Sequence, residues 1–217
     1  MNEFLESVKQ KALHYIENID NRKVFPSHEA INNLSLFNEP MPEKPTEPNK
    51  TIDFLNKYGR VASVASTGGR YFGFVIGGVV PAALGASWLA STWDQNAGIW
   101  VASPIASKIE DVTLNWLKEL LRLPKSSEGA LVTGTTMANF VALSAARNKL
   151  LKDSGWDIDE KGLYEAPPIK IIVGKEVHTT IYKAIKMLGL GNQNIITAPV
   201  DDQGAIRTEY YFVICTL

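Results

Sequence analysis

The feature that most constrains the fold is an alternation of short apolar runs with helical patterns between residues 129 and 198. Three runs have the apolar character of buried strands: residues 130–132, 169–173 and 194–198. Helical apolar spacing fills the intervals, from about residue 137 to 151 and from 179 to 188. A strand–helix–strand–helix–strand order is typical of a parallel sheet with right-handed crossovers. We therefore expect an α/β fold.

The segment before this alternation has a different character. Residues 3–19 carry apolar positions at helical spacing, which predicts an amphipathic helix. The prolines that follow oppose regular structure, and we expect an extended arm there; they are Pro26, Pro40, Pro42, Pro45 and Pro48. A second helix is predicted over residues 49–58.

Residues 71–93 contain no charged side chain and are long enough to cross a bilayer. Glycines and Pro81 interrupt the first half, so we predict a loop followed by a helix that begins near Pro81, buried in the protein or at a subunit contact. A membrane span is the alternative. Ser103 and Pro104 predict the start of another helix, which ends by Pro124. The tryptophans of this region are predicted to belong to the core; they are Trp88, Trp93, Trp100 and Trp116.

Composition excludes several classes of protein. The chain has 22 Lys and Arg against 23 Asp and Glu, a net charge of −1, so it lacks the basic surface of a nucleic-acid-binding protein. Its one cysteine, Cys215, cannot form an internal disulfide, and the N-terminus does not resemble a signal peptide, so we expect a cytoplasmic protein. The three histidines are far apart in sequence and no Cys-x-x-Cys occurs, so no metal site is predicted.

The turn Thr133-Gly134-Thr135-Thr136 has the properties of a phosphate site. It lies between a predicted strand and a predicted helix, where free backbone N–H groups and the helix dipole favour an anion. Gly134 permits close approach, and the threonines add hydroxyl donors. No Gly-Lys-Ser/Thr follows, so it is not a nucleotide P-loop. A threonine-rich helix cap that binds nothing remains the alternative.

His178 follows the second predicted strand and opens the next helix. In a parallel sheet, ligands bind beyond the carboxyl ends of the strands. His178 and the threonine turn are both predicted at such ends, so one ligand could contact both. The flat imidazole could stack on an aromatic cofactor ring there.

Four blocks in a fixed order resemble the group II pyridoxal-dependent decarboxylases, the family of the aromatic-amino-acid, histidine and glutamate decarboxylases. They are GRYFGFVIGGVVP at 69–81, STWDQN at 91–96 with Ser103-Pro104, GALVTGTTMANF at 129–140 and VHTTIYKA at 177–184. The resemblance runs from about Arg22 to Arg207. It implies a type I aminotransferase-like fold, a homodimer whose N-terminal arm wraps the partner, an amino-acid substrate and pyridoxal 5′-phosphate as cofactor.

The resemblance also implies roles for individual residues. Thr133, Gly134, Thr135 and Thr136 would bind the cofactor phosphate, and His178 would stack on the cofactor ring. The substrate pocket would be lined by four residues of the earlier blocks: Phe72, Phe74, Gln95 and Asn96. The family's usual second glycine of the turn is Thr135 here, which narrows the backbone approach and adds a hydroxyl.

One element of the family's chemistry has no counterpart. The resemblance implies a later aspartate at the pyridine nitrogen and a His-Lys pair whose lysine forms the Schiff base. No His-Lys dipeptide occurs in the 217 residues, and the sequence after Arg207 departs from the family. Lys175 and Lys183 lie near His178, but nothing places either as a substitute. We therefore expect a truncated decarboxylase lacking the C-terminal half, inactive as the isolated chain.

Three organisational segments are predicted. Residues 1–80 would form the dimerisation arm and substrate-side loop, 81–207 part of the large cofactor-binding domain, and 208–217 a tail foreign to the family. Two other functions remain open: an aminotransferase or lyase of the same fold, or a non-catalytic dimerisation fragment.

Overall fold

The computed structural model describes residues 1–207, 209 and 210. The chain divides into two compact units, Met1–Asn96 and Ala97–Leu217. The division at residues 80 and 81 that the sequence suggested stays a prediction, as does the tail, most of which lies outside the described residues.

The first unit is helical. Its α-helices are α1 (Asn2–Glu17), α2 (His28–Asn32), α3 (Pro48–Phe54), α4 (Arg60–Ala62) and α5 (Pro81–Trp93). A 3₁₀ turn at Asn33–Phe37 follows α2, and a π turn at Leu55–Gly59 joins α3 to α4. Arg22 ties the start of the unit to its middle, since its guanidinium donates to the carbonyl oxygens of Arg60 at 2.9 Å and Ser63 at 2.7 Å.

The proline-rich segment is not extended throughout, so that prediction was wrong in part. The interval between Pro26 and Pro40 contains α2 and the 3₁₀ turn. Ser27 caps α2, because its hydroxyl oxygen accepts from the Ala30 N–H at 3.2 Å. The prolines flank this helical interval and do not interrupt it. Pro48 even occupies the first turn of α3, where its missing N–H costs no hydrogen bond.

The described part of the second unit alternates helices with two strands. It contains α6 (Pro104–Leu120), α7 (Thr135–Asp153), α8 (Ile158–Lys161), β1 (Ile171–Gly174), α9 (Thr179–Met187) and β2 (Ile195–Ala198). The strands pair in parallel, with Ile171 opposite Ile195 and Gly174 opposite Ala198. Helices α7 and α9 pack on each other. Among the described residues of this unit, the buried apolar ones are Leu151, Val173, Ala184, Ile185, Leu188 and Ala198.

Residues 130–132 do not form the predicted strand. A strand needs a neighbour for its backbone groups, and the described sheet has only β1 and β2. The Leu131 N–H instead donates to Glu110 Oε1 on α6 at 3.1 Å. The threonine turn therefore follows an irregular segment held by a side chain, while the two later strands and the crossover helix between them are as predicted.

The tryptophans predicted to be core residues are exposed. Helices α5 and α6 have no buried residue, and Trp116 on α6 retains 69% of its accessible surface. An apolar helix becomes core only when other elements cover it, and the described part of the second unit buries its apolar surface chiefly around α7, α9 and the sheet. In the region 71–93, only Pro81–Trp93 is helical, and none of the helices described is both long and apolar enough to span a bilayer.

The turn after β2 gives a pH-dependent prediction. Asp201 Oδ1 accepts from the N–H groups of Ala205 and Gln203, both at 2.9 Å, and these bonds hold the pKa of the carboxyl below its ordinary 3.8. Because the folded pKa is the lower one, the turn's stabilisation is present above the unfolded value and is lost as pH falls through the folded pKa.

We expect the amide shifts of Gln203 and Ala205 to follow one titration whose midpoint lies below the ordinary pKa of 3.8 for this carboxyl. An Asp201→Asn variant keeps the acceptor oxygen and should show no such transition. A wild-type transition centred above about pH 4 would contradict the assignment of these bonds.

Candidate cofactor site

The N-terminus of α7 presents backbone donors that no described side chain caps. Gly134 precedes the helix, and its carbonyl accepts the first helical bond from the Ala138 N–H at 3.0 Å. Within the described residues no side chain caps this terminus, and the first turn carries no acidic residue. The N–H groups of Thr135, Thr136 and Met137 therefore lie at the positive end of a 19-residue helix without a side-chain acceptor.

Gly134 leaves room for a ligand at this terminus. Its backbone is extended, with φ 164° and ψ 172°, a conformation open to any residue. A methyl group added at its Cα would meet no atom within 4 Å. The protein's own packing thus does not require glycine here, whereas the close approach of a bound anion would. This space and the uncapped donors fit a phosphate group.

His178 is the N-cap of α9. It lies four residues beyond the end of β1, and its Nδ1 accepts from the backbone N–H of Thr180 at 3.3 Å. The side chain is exposed. An imidazole that caps through one nitrogen has a fixed ring plane, which suits stacking against a flat ligand.

Asn139 and Thr180, to which the sequence analysis assigned no role, connect these features. Asn139 Nδ2 on α7 donates to Thr180 Oγ1 on α9 at 3.1 Å, and the same oxygen lies 3.0 Å from His178 Nδ1. At the other end of the helix pair, Arg147 Nη1 donates to the Leu188 carbonyl at 3.2 Å. Helix α7 is thus bonded to both ends of α9. Helix α7, which begins at the threonine turn, therefore also carries Asn139, whose side chain donates to Thr180 next to His178.

The four predicted substrate-pocket residues belong to the first unit. Phe72 and Phe74 are each 91% exposed, and Phe74 and Val75 have positive φ values of 55° and 56°. Gln95 follows the end of α5, and its Nε2 donates to the Trp93 carbonyl at 3.0 Å. Asn96 is the last residue of this unit. Their role in a substrate pocket stays a prediction.

A metal centre has no support in the described residues, where no three His, Cys, Asp or Glu side chains are grouped to hold an ion. Lys175 and Lys183 lie three residues before and five residues after His178 in the sequence, and both are exposed. The donors at the start of α7 are neutral N–H and hydroxyl groups, and together with the His178 imidazole they are suited to a phosphorylated aromatic ligand.

The two parallel strands, the crossover helix α9 and the N–H groups at the start of α7 define an α/β protein with a candidate phosphate site. Residues 35–211 match the family described as the pyridoxal-dependent decarboxylase conserved domain, and the chain belongs to that family. This match confirms the predicted membership of the pyridoxal-dependent decarboxylases, and it confirms pyridoxal 5′-phosphate as the family's cofactor.

Individual relatives agree. The chain is 30% identical over 192 residues to the aromatic-L-amino-acid decarboxylase of Bacillus atrophaeus, covering 86% of this chain and 37% of the relative. It is 30% identical over 141 residues to tryptophan decarboxylase 1 of Oryza sativa subsp. japonica, covering 60% and 27%. The chain thus spans less than half the length of these relatives.

Solved structures share the fold. The glutamate decarboxylase domain from Vibrio parahaemolyticus aligns with a TM-score of 0.84 at 19% identity, over 98% of this chain and 48% of that one. Oryza sativa TDC, crystallised with PLP and tryptamine, aligns with a TM-score of 0.79 at 22% identity, over 93% and 42%. The predicted type I-like fold is confirmed, in the partial form that these coverages describe.

Proposed function

We propose that this chain supplies the phosphate-binding and ring-stacking portion of a pyridoxal-phosphate-dependent decarboxylase that converts an L-amino acid to an amine and carbon dioxide. The observation that carries the proposal is the uncapped start of α7, with open space at Gly134, bonded through Asn139 and Thr180 to the segment of His178. One helix pair thereby offers donors for a phosphate and a fixed plane for an aromatic ring.

The chain's residues would act as follows. The N–H groups at the start of α7 and the hydroxyls of Thr133, Thr135 and Thr136 bind the phosphate dianion. His178 stacks on the ring and restricts its tilt. When bound, the cofactor stores in its ring the electrons released as carbon dioxide leaves. Phe72, Phe74, Gln95 and Asn96 line the pocket that receives the amino acid.

The lysine that anchors the cofactor is not provided by a His-Lys pair in these 217 residues. We therefore propose that the chain alone is catalytically inactive. A cytoplasmic homodimer, with the N-terminal helices in the subunit contact, is part of the same proposal. The exposed apolar surfaces of α5 and α6 favour one alternative, a non-catalytic module that associates with other subunits. An aminotransferase or lyase of the same fold would differ in the products formed from amino acids.

The phosphate site can be tested with a single methyl group. Gly134→Ala places this group in the open space before α7 without an internal clash, so the chain should fold normally. We expect the affinity for pyridoxal 5′-phosphate in equilibrium dialysis to fall about tenfold or more, since one charge-assisted hydrogen bond contributes about 1.5–3 kcal/mol. Binding of pyridoxal, which lacks the phosphate, should change little.

Gly85→Ala is the matched control. Gly85 lies within α5, where an added methyl group also meets no atom within 4 Å. This variant should bind both ligands as the wild type does. If wild type and Gly134→Ala bind pyridoxal 5′-phosphate with equal affinity, the assignment of the phosphate site to the start of α7 is wrong.

A further inference from the structure

The imidazole of His178 is held along one edge. The backbone N–H of Thr180 donates to Nδ1 at 3.3 Å, and Thr180 Oγ1 lies 3.0 Å from the same nitrogen. An amide N–H can only donate, so Nδ1 has to accept and carries no proton while this bond is made. The neutral ring consequently bears its proton on Nε2.

The Thr180 hydroxyl supports this state only if its proton points at Nδ1. A lone pair in that direction would leave two acceptors facing each other at 3.0 Å. Asn139 Nδ2 donates to the hydroxyl oxygen at 3.1 Å, which occupies a lone pair and leaves the proton for Nδ1. The opposite amide orientation would offer Oδ1 and compete for that proton. The contacts therefore favour one orientation of the amide, the hydroxyl and the ring together.

We propose that Asn139 is a positioning residue for His178: through the Thr180 hydroxyl it fixes the tautomer and the orientation of the imidazole that faces the cofactor ring. The proposal rests on the proposed function only for what His178 stacks against. Asn139 follows Thr135 by four residues and Thr136 by three, so it lies about one turn beyond the phosphate donors on α7. The phosphate site and the ring-stacking site are thus set by one helix.

The chain is well suited to a direct test, because it contains only three histidines. With ¹⁵N-labelled histidine, the nitrogen shifts show which ring nitrogen carries the proton, in solution or in an associated sample by magic-angle spinning. At about pH 9, where histidine is ordinarily neutral, we expect wild-type His178 to be protonated on Nε2 alone. A His178→Gln variant assigns the signal, and His14 and His28 serve as internal references.

Asn139→Asp reverses the direction of the hydroxyl. A carboxylate accepts the Thr180 proton, which turns the hydroxyl oxygen towards Nδ1 and favours a proton on that nitrogen. We expect the fraction of His178 protonated on Nδ1 to rise severalfold, with a smaller rise in Asn139→Leu. Thr180→Ser keeps the hydroxyl and should retain the wild-type shifts. Asn115→Asp, an equivalent change on the exposed surface of α6, should leave them unaltered.

The double variant Asn139→Asp/Thr180→Val separates an effect transmitted through the Thr180 hydroxyl from a direct effect of the carboxylate charge. Without the hydroxyl, the rise in Nδ1 protonation should disappear, whereas a through-space effect of the carboxylate would persist. Persistence, unchanged shifts in Asn139→Asp, or a wild-type ring already protonated on Nδ1 would each overturn the proposal. Addition of pyridoxal 5′-phosphate tests the other assumption. If the His178 signals do not respond, the cofactor assignment fails while the positioning role stands.

Discussion

The purified 217-residue chain, supplied with pyridoxal 5′-phosphate, is expected to release no carbon dioxide from any amino acid. The family's chemistry depends on a lysine that anchors the cofactor and exchanges it with the substrate amine, and no His-Lys pair provides that lysine within these residues. We expect no turnover at all, because a site that only binds the phosphate and the ring does not supply the lysine amine. Release of labelled carbon dioxide from a mixture of carboxyl-labelled amino acids measures it.

Lys175 and Lys183 are the informative controls, since both are exposed and lie within five residues of His178 in the sequence. Turnover by the wild-type chain that is lost in Lys175→Met or Lys183→Met would show that a lysine of this chain replaces the family's own. That outcome would contradict the proposed inactivity and leave the family assignment intact.

The exposed apolar side chains of the chain predict self-association. Trp116 and Leu120 lie one turn apart on α6 and are 69% and 77% exposed. In the other unit, α5 has its own exposed apolar side chains, Trp88, Leu89 and Trp93. Large exposed apolar patches on a protein are covered in a complex or lead to aggregation. We expect the chain to sediment as dimers or larger species at micromolar concentration. Deletion of residues 208–217, a tail with strong β-propensity, should reduce association only in part.

Trp116→Glu should weaken this association about tenfold or more, because burial of one large apolar side chain contributes about 1.5–3 kcal/mol. Asn115→Glu introduces the same charge at the neighbouring exposed position of α6, and its effect should be small. A wild-type chain that remains a stable monomer with cooperative thermal unfolding would show that the exposed surfaces need no partner.

Local signals predicted the helices well. Pro81 and Pro104 each begin a helix, as their fixed φ and missing N–H favour, and Ser103 caps α6 through a hydroxyl that accepts from the Ala106 N–H at 3.4 Å. The crossover from β1 through α9 to β2 was likewise predicted, since glycines close the helix and apolar β-branched runs form the strands. These features depend on residues within a few positions of each other.

Features that depend on distant residues could not be predicted in the same way. Residues 130–132 have the composition of a strand, but pairing is a property of two segments, and Leu131 bonds to Glu110 instead. The relay from Asn139 to Thr180 joins positions 41 residues apart in sequence. Its only sequence signal was the helical spacing of Asn139 from the threonine turn. Trp116 is of a residue type that is often buried, but its burial depends on which elements cover α6.

The start of α7 and His178 are proposed to form one cofactor site. Chemical-shift mapping of the ¹⁵N-labelled chain tests this proposal, with pyridoxal 5′-phosphate, inorganic phosphate and pyridoxal as separate ligands. We expect phosphate to shift the amides of residues 134–137, and pyridoxal 5′-phosphate to shift these amides together with the ring signals of His178. Shifts confined to another surface, such as the cavity lined by Asn148, Lys152 and Trp156, or no response at the start of α7, would contradict it.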